Sequence, residues 1–444
     1  MHDKPSSEIP VMIHDHPFIA TGIALSIAMI VASTHASAAE AAATQDRSLG
    51  ANVQGLLEFA KARNPELAAM RLESEATAQR VQPAGALPDP VLRVELMNIN
   101  NYGNNAPPSL LPSRVGETKY TLMQSLPAWG KRDLRRDAAA ADARQAASRA
   151  EATWAELAAR IKAAYADYYR AVGNERLARE TLDLMSRLEQ VAQARYAGGL
   201  VTQQDAIRAQ LEQTVMRAEL IMLESEKRQL RSRLNALVAR DEVIPLAEPQ
   251  SLRPIPALTA DDAVTLAARA RANNAQLQAE QARVAAAQKN RDLAWRNRYP
   301  DLQVGLSPTQ MGSRITSWGV MLEVNIPLQQ ETRRAQERET TAMVDAARSR
   351  ADAVSNQLLG ELGGHLAALD AARRTEALAR SQALPQTQLS LQSAQAAYEN
   401  GKLDFTALLE AQRQIRKIRQ DLLKTQAEAQ VRLAEIERIV GEDL

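Results

Sequence analysis

The 444-residue sequence predicts a mainly helical chain of long hairpins, with four β-strands that could form part of a membrane barrel. Three observations predict it: a duplicated motif at the helix ends, a composition poor in aromatic residues, and two short zones where apolar residues alternate with polar ones. The motif runs Gln193-Ala194-Arg195-Tyr196-Ala197-Gly198-Gly199-Leu200-Val201 and recurs as Gln395-Ala396-Ala397-Tyr398-Glu399-Asn400-Gly401-Lys402-Leu403, and 398 − 196 gives a register of 202. In each copy an Ala/Leu/Arg/Glu/Gln-rich segment reaches a glycine, which can take the left-handed conformation at a helix end, and a second helical segment follows. That is a helical hairpin tip, made twice.

Aromatic residues make up 3% of the chain and Phe occurs three times, so few large side chains are present to fill a thick core. Alanine-rich, charge-rich segments suit long helices packed along narrow apolar stripes. With 54 basic and 53 acidic residues the formal net charge is +1, which gives no electrostatic footprint for nucleic acid. The absence of cysteine excludes disulfides, thiol catalysis, Cys-based metal sites and Cys-anchored lipidation.

Residues 1–38 read as a secretory signal: Phe18 to Val31 is apolar, and Ala36-Ser37-Ala38 offers small residues for cleavage. Four of the five histidines fall in that segment, leaving His365, which is read as a packed or solvated side chain. No acid–base, nucleophile or metal constellation is left to assemble, so neither catalysis nor a cofactor is expected. Met97, Met123, Met311 and Met321 gather around the strand zones; soft thioethers suit Cu(I) or Ag(I), but gap-filling is the preferred reading.

After residue 39 the chain reads as two related repeats, 39–240 and 260–444, joined by a linker over 241–259. Asn64-Pro65-Glu66-Leu67 returns as Asn274-Ala275-Gln276-Leu277, Pro88-Asp89 as Pro300-Asp301, and Leu126-Pro127 as Ile326-Pro327. Period-two alternation predicts strands over about 90–98, 115–126, 301–308 and 315–327, with Pro308 to Ser313 as a loop. Strands of roughly ten residues suit a tilted membrane strand. Two hairpins alone would leave unpaired edges in lipid, so several chains must share one barrel. Helical hairpins are predicted over about 131–240 and 333–440, with a weak point at Gly363-Gly364. The stripe Trp154, Leu157, Ile161, Ala164, Tyr168 and Val172 is read as packing.

Together with Ala86-Leu87-Pro88-Asp89-Pro90 and Gln124-Ser125-Leu126-Pro127-Ala128-Trp129-Gly130-Lys131, these motifs resemble the TolC-like outer-membrane factor family over about residues 51–440. The Pro-x-x-Gly-Lys element is similar to that family's heavy-metal branch. The resemblance implies a homotrimer whose chains each give four strands to one twelve-stranded barrel in the outer membrane of a Gram-negative bacterium, above a periplasmic α-helical tunnel. It implies an exit duct of a tripartite efflux pump, docked through the tips to a periplasmic adaptor protein and coupled to an inner-membrane resistance-nodulation-division transporter. Carried over to this chain, the docking positions are Tyr196, Gly199, Leu200, Val201, Thr202, Asp205, Tyr398, Gly401 and Leu403. Where the family often sets two acids one turn apart as a pore constriction, this chain has Ala407 and Glu410, with Asp404 nearby. The cargo implied is heavy-metal cations, with drugs or organic compounds as the alternative. From a different class, a periplasmic coiled-coil scaffold is also consistent with the pattern. Without cysteine, retention in the membrane rests on the barrel.

Overall fold

The structure is a computed structural model that describes residues 49–99, 107–199, 201–257 and 262–444. The signal segment and Leu200 lie outside the described residues. The first half comprises α1 (Val53–Arg63), α2 (Pro65–Gln79), α3 (Val81–Ala84), β1 (Val91–Met97), β2 (Glu117–Leu126), α4 (Lys131–Ala197) and α5 (Gln203–Leu237). After the linker come α6 (Asp262–Asn273), α7 (Ala275–Arg296), β3 (Leu302–Met311), β4 (Arg314–Val324) and α8 (Gln330–Leu378). A π-helical turn, Ala379–Ala383, then leads into α9 (Leu384–Glu399) and α10 (Phe405–Val440).

The 67-residue α4 reaches about 100 Å at 1.5 Å per residue and packs along α5, α7 and α10, while α8 packs along α7 and α10. Gly173 does not break α4; a Cβ there would stand 2.8 Å from a Leu423 methyl, so the glycine admits α10 closely. The Trp154-to-Val172 stripe is packing, joined with Leu56, Leu234 and Val238 in one core cluster. Among the described residues no helix is long and apolar enough to cross a membrane.

Two expectations are corrected. The weak point of α8 is not Gly363-Gly364, through which the helix runs unbroken. It is the π-turn Ala379–Ala383: Pro385, two residues beyond it, lacks an N–H and cannot close the ordinary bond, and Leu384 N–H reaches back to Ala379 O instead. Nor is Pro308 to Met311 a loop: β3 continues to Met311, and the turn is Gly312-Ser313 with Gly312 at φ +60°. Pro308 is tolerated because the β2–β3 ladder skips Ser307 and Pro308, so no N–H is missed there.

The four strands form one antiparallel sheet in the order β1-β2-β3-β4, open at β1 and β4. One row across it is Leu92, Leu122, Leu306 and Val320, all exposed. The same face carries Val94, Val304, Trp318 and Leu322, while the opposite face carries Arg93, Glu95, Lys119, Ser307 and Glu323. Met123 and Met321 flank Gly305 on that second face, filling the space a side chain would take. Pro127 to Lys131 forms the corner between the sheet and the long helices. Gly130 turns the chain at φ +81°, Lys131 Nζ donates to Asp301 (2.8 Å) and Tyr299 O (2.9 Å), and Asp301 accepts Ala128 N–H (2.7 Å).

The duplication is visible bond for bond. Asn64 accepts Leu67 N–H (3.2 Å) and donates to Leu237 O (2.9 Å); Asn274 accepts Leu277 N–H (2.9 Å) and donates to Ile439 O (2.9 Å), and 439 − 237 is again 202. The halves are fastened by Glu437, 3% exposed, which receives Lys162 Nζ (2.7 Å), both Arg253 Nη groups (2.9 and 3.0 Å) and Leu444 N–H (3.2 Å). Lys162 also meets Asp443, whose carboxyl is held below the usual aspartate range by that hydrogen bond. The counterpart of Glu437 is Asn235 (437 − 202), whose amide donates to Glu242 O and Ile244 O.

Removing one partner of a buried pair leaves an uncompensated charge. Glu437→Ala, which strands Arg253 and leaves Lys162 with Asp443 alone, is therefore expected to cost about 3 kcal/mol of unfolding free energy. The denaturant midpoint of the helical circular dichroism signal checks it, and an unshifted midpoint would sink the clamp.

Candidate functional site at the hairpin tips

Both tips are built by the same backbone bonds. In the first, Gly198 N–H donates to Ala194 O (3.1 Å) and Gly199 N–H to Tyr196 O (2.9 Å); in the second, Asn400 N–H donates to Ala396 O (3.2 Å) and Gly401 N–H to Tyr398 O (3.0 Å). Gly199 and Gly401 sit at φ +69° and +72°, the left-handed region that reverses the chain. The return helices differ in their caps. Asp404 accepts Ala407 N–H (2.9 Å), whereas Thr202 makes no side-chain cap bond.

The two tyrosines that share a place in the motif do not share an environment. Tyr196 is 47% exposed, while Tyr398 is 1% exposed, packed on Phe405 with ring centroids 5.4 Å apart. Arg195 lies 4.9 Å over the Tyr398 ring and donates to the Tyr398 carbonyl, so the first tip clasps the second. Burial pushes the Tyr398 hydroxyl pKa up, the Asp205 carboxylate adds to this and Arg195 opposes it. That hydroxyl has no hydrogen-bond partner among the described residues.

Of the expected docking residues, Gly199, Thr202 and Gly401 are exposed and Val201, Asp205 and Leu403 half-buried, whereas Tyr398 supports the tip from inside. Glu410 is exposed on α10, about a turn and a half beyond Asp404, whose carboxylate is engaged in capping. The motif comparison missed the arginines that tie the return helices together. Arg208 binds the Thr406 hydroxyl, Arg413 binds Glu212, and Arg416 binds Glu219 (2.5 Å), so α5 and α10 are joined across the width of α4. Their signal was available as oppositely charged residues on the two return helices, but no spacing rule connects helices two hundred residues apart.

A family model described as outer membrane efflux protein matches residues 56–240 and 266–442. No curated protein sequence matches the chain. Among solved structures, the fold is similar to the outer membrane protein VceC of Vibrio cholerae, at 18% identity and a TM-score of 0.73, over 88% of this chain and 96% of that one. It is similar to CusC, described for transmembrane channel formation, at 17% identity and 0.74, over 88% and 92%. It is also similar to the Campylobacter jejuni CmeC outer membrane channel, at 13% identity and 0.71, over 88% and 85%.

Tyr398→Phe removes a buried hydroxyl that has no hydrogen-bond partner among the described residues and is expected to leave the tip as stable as before. Tyr398→Ala opens a cavity beneath Arg195 and is expected to cost about 3–5 kcal/mol locally. Amide hydrogen exchange across residues 396–405 separates the two outcomes. Equal protection in both variants would show that the ring does not hold the tip.

Proposed function

The chain belongs to the outer membrane efflux protein family, and from that premise we propose that it is the exit duct of a tripartite efflux pump, assembled as a homotrimer and carrying heavy-metal cations to the exterior. The observation that carries the reading is the sheet: four strands with an apolar, exposed face and two open edges, set at one end of helices about 100 Å long. Every backbone group in a bilayer must be paired, so open edges call for strands from further copies. Four strands from each of three chains close a twelve-stranded barrel in the outer membrane.

The helices support the same assembly. Within the chain α4 of the first half packs on α10 of the second. The duplication calls for a matching contact between α5 and α8–α9, which stand at opposite sides of the row of helices and so meet between copies. Ile207, Leu211, Val215 and Met222 on α5, and Leu378 and Leu389 on α8 and α9, are exposed apolar side chains available for that contact.

In this reading the tips, with Tyr196, Gly199, Leu200, Val201, Thr202, Asp205, Gly401 and Leu403 around the buried Tyr398, dock a periplasmic adaptor that couples the duct to a resistance-nodulation-division transporter. Residues 1–38 direct export. The preference for metal rests on the resemblance of the Pro-x-x-Gly-Lys motif, whose Gly130 and Lys131 hold the corner between the sheet and the long helices. A conduit passes its cargo without chemistry, so the reading assigns no catalytic residue.

The experiment is the sensitivity of a deletion strain and its complement to copper, silver, zinc, cobalt, cadmium, drugs and detergents. Sensitivity confined to metals is the expected outcome; sensitivity to drugs alone would keep the duct and discard the cargo, and a soluble, detergent-free monomer would replace the duct with a scaffold. Glu410 is proposed as a constriction charge. Glu410→Ala should raise single-channel conductance and weaken cation preference in planar bilayers, and unchanged currents would remove Glu410 from that role.

A further inference from the structure

The corner where the sheet meets the long helices carries three exposed rings: Trp129 is 91% exposed, and Trp295 and Tyr299 are each 45% exposed. Trp129 lies three residues beyond the end of β2 and Tyr299 three before the start of β3, and the two segments are bonded through Lys131 Nζ and Tyr299 O. The rings therefore stand close to one level, just past the cross-strand row Leu126, Leu302 and Val324. Leu87, Ile326 and Leu328, also exposed, carry the apolar surface of the sheet down to that level. We propose that this corner is a phospholipid headgroup site, in which the rings lie in the polar layer of the bilayer and Arg296 holds a lipid phosphate. The inference rests on the reading of the sheet as membrane strands and adds to it a boundary and a ligand.

Arg296 sets the chemistry. Trp295 and Tyr299 meet edge to face with centroids 5.8 Å apart, and the Arg296 guanidinium stands 5.8 and 5.6 Å from their ring centres. It lies against Gly130, where a Cβ would stand 3.8 Å from its Nε. Its side chain makes no ion pair and no hydrogen bond among the described residues, whereas the neighbouring cations are taken, Lys131 by Asp301 and Arg298 by Glu337. A guanidinium pre-ordered by two rings, with its planar fork unspent, matches a phosphate. Trp and Tyr concentrate at membrane interfaces because each joins an apolar ring to a polar edge.

The length of the sheet supports the boundary. From Leu302 to Met311 β3 rises about 30 Å, which a tilt of about 40° reduces to roughly 23 Å, close to the apolar band of about 25 Å in membrane barrels. With the corner at one boundary, the Gly312-Ser313 turn falls at the other, and Trp318, paired with Pro308, falls between them. The cluster is also a departure from the duplication. Pro88 matches Pro300, a register of 212 (300 − 88), and on it Trp295, Arg296 and Tyr299 face Pro83, Ala84 and Leu87; Trp129 faces Gln329 on the register of 200 (327 − 127). Rings and cation are thus gathered from both halves at the two central strands alone.

The test places the full-length protein in phosphatidylcholine vesicles whose lipid chains carry bromine either just below the headgroup or near the chain end. Fluorescence is followed in variants that keep one tryptophan, the others replaced by phenylalanine, with circular dichroism confirming the helices of each. Trp129 and Trp295 are expected to be quenched more by the shallow bromine, Trp318 by both, and Trp154, packed among the helices, by neither. Quenching of Trp318 without Trp129 and Trp295 would overturn the boundary and leave the duct standing, whereas no quenching at all would remove the duct and the boundary together. For the phosphate, a minor fraction of brominated phosphatidylglycerol in unlabelled phosphatidylcholine is compared with the same fraction of brominated phosphatidylcholine. In the variant keeping Trp295 the anionic lipid is expected to be enriched about fivefold beside the ring, and Arg296→Gln to abolish the enrichment. Equal quenching by the two lipids, or enrichment that survives Arg296→Gln, would overturn the role of Arg296.

Discussion

Glu437 is the point on which the architecture turns. It is a carboxylate inside an alanine-lined helical bundle, and such a group is costly unless fully paired. Here it is paired from three directions: Lys162 in the first half, Arg253 in the linker and the backbone of Leu444 at the chain end. Apolar stripes of alanine slide easily past one another, because adjacent registers bury nearly the same area. A buried ion pair does not slide. Lys162 to Glu437 fixes where α10 lies along α4, the bidentate Arg253 fixes the linker to the same carboxylate, and with them the level of the tips at one end and of the sheet at the other is set.

Much of this was legible in the sequence. The helices from Lys131 and Phe405, the four strands, and both tips follow from periodicity and glycine placement, signals that are local. The misreadings arose where a local signal was overruled. Pro308 and Gly312 look like one loop, but only the glycine reverses the chain, since the proline falls where the ladder is already interrupted. Gly363 and Gly364 look like a weak point, but a glycine keeps its N–H and the helix holds; Pro385 has none, and the helix widens before it.

What composition cannot express is the difference between two copies of one motif. Tyr196 and Tyr398 share a sequence context, yet one is exposed and the other lies under Arg195 of the opposite tip. Duplication supplied identical hairpins, and packing them side by side made their surroundings unequal. Asn235 and Glu437 diverged in the same way, one stitching a turn and the other clamping the halves.

The open edges of the sheet also bear on how such a chain reaches its destination. A strand with free N–H and C=O groups is stable in water, where solvent pairs them, and unstable in hydrocarbon, where nothing does. A solitary copy therefore has no route into a bilayer that improves with depth. If the sheet enters a bilayer as proposed, entry becomes favourable only once other copies supply the missing strands, so membrane residence would depend on encounter among chains and fall away steeply on dilution. On that reading a cell making too little of this protein would leave it stranded outside the membrane rather than holding proportionally fewer barrels.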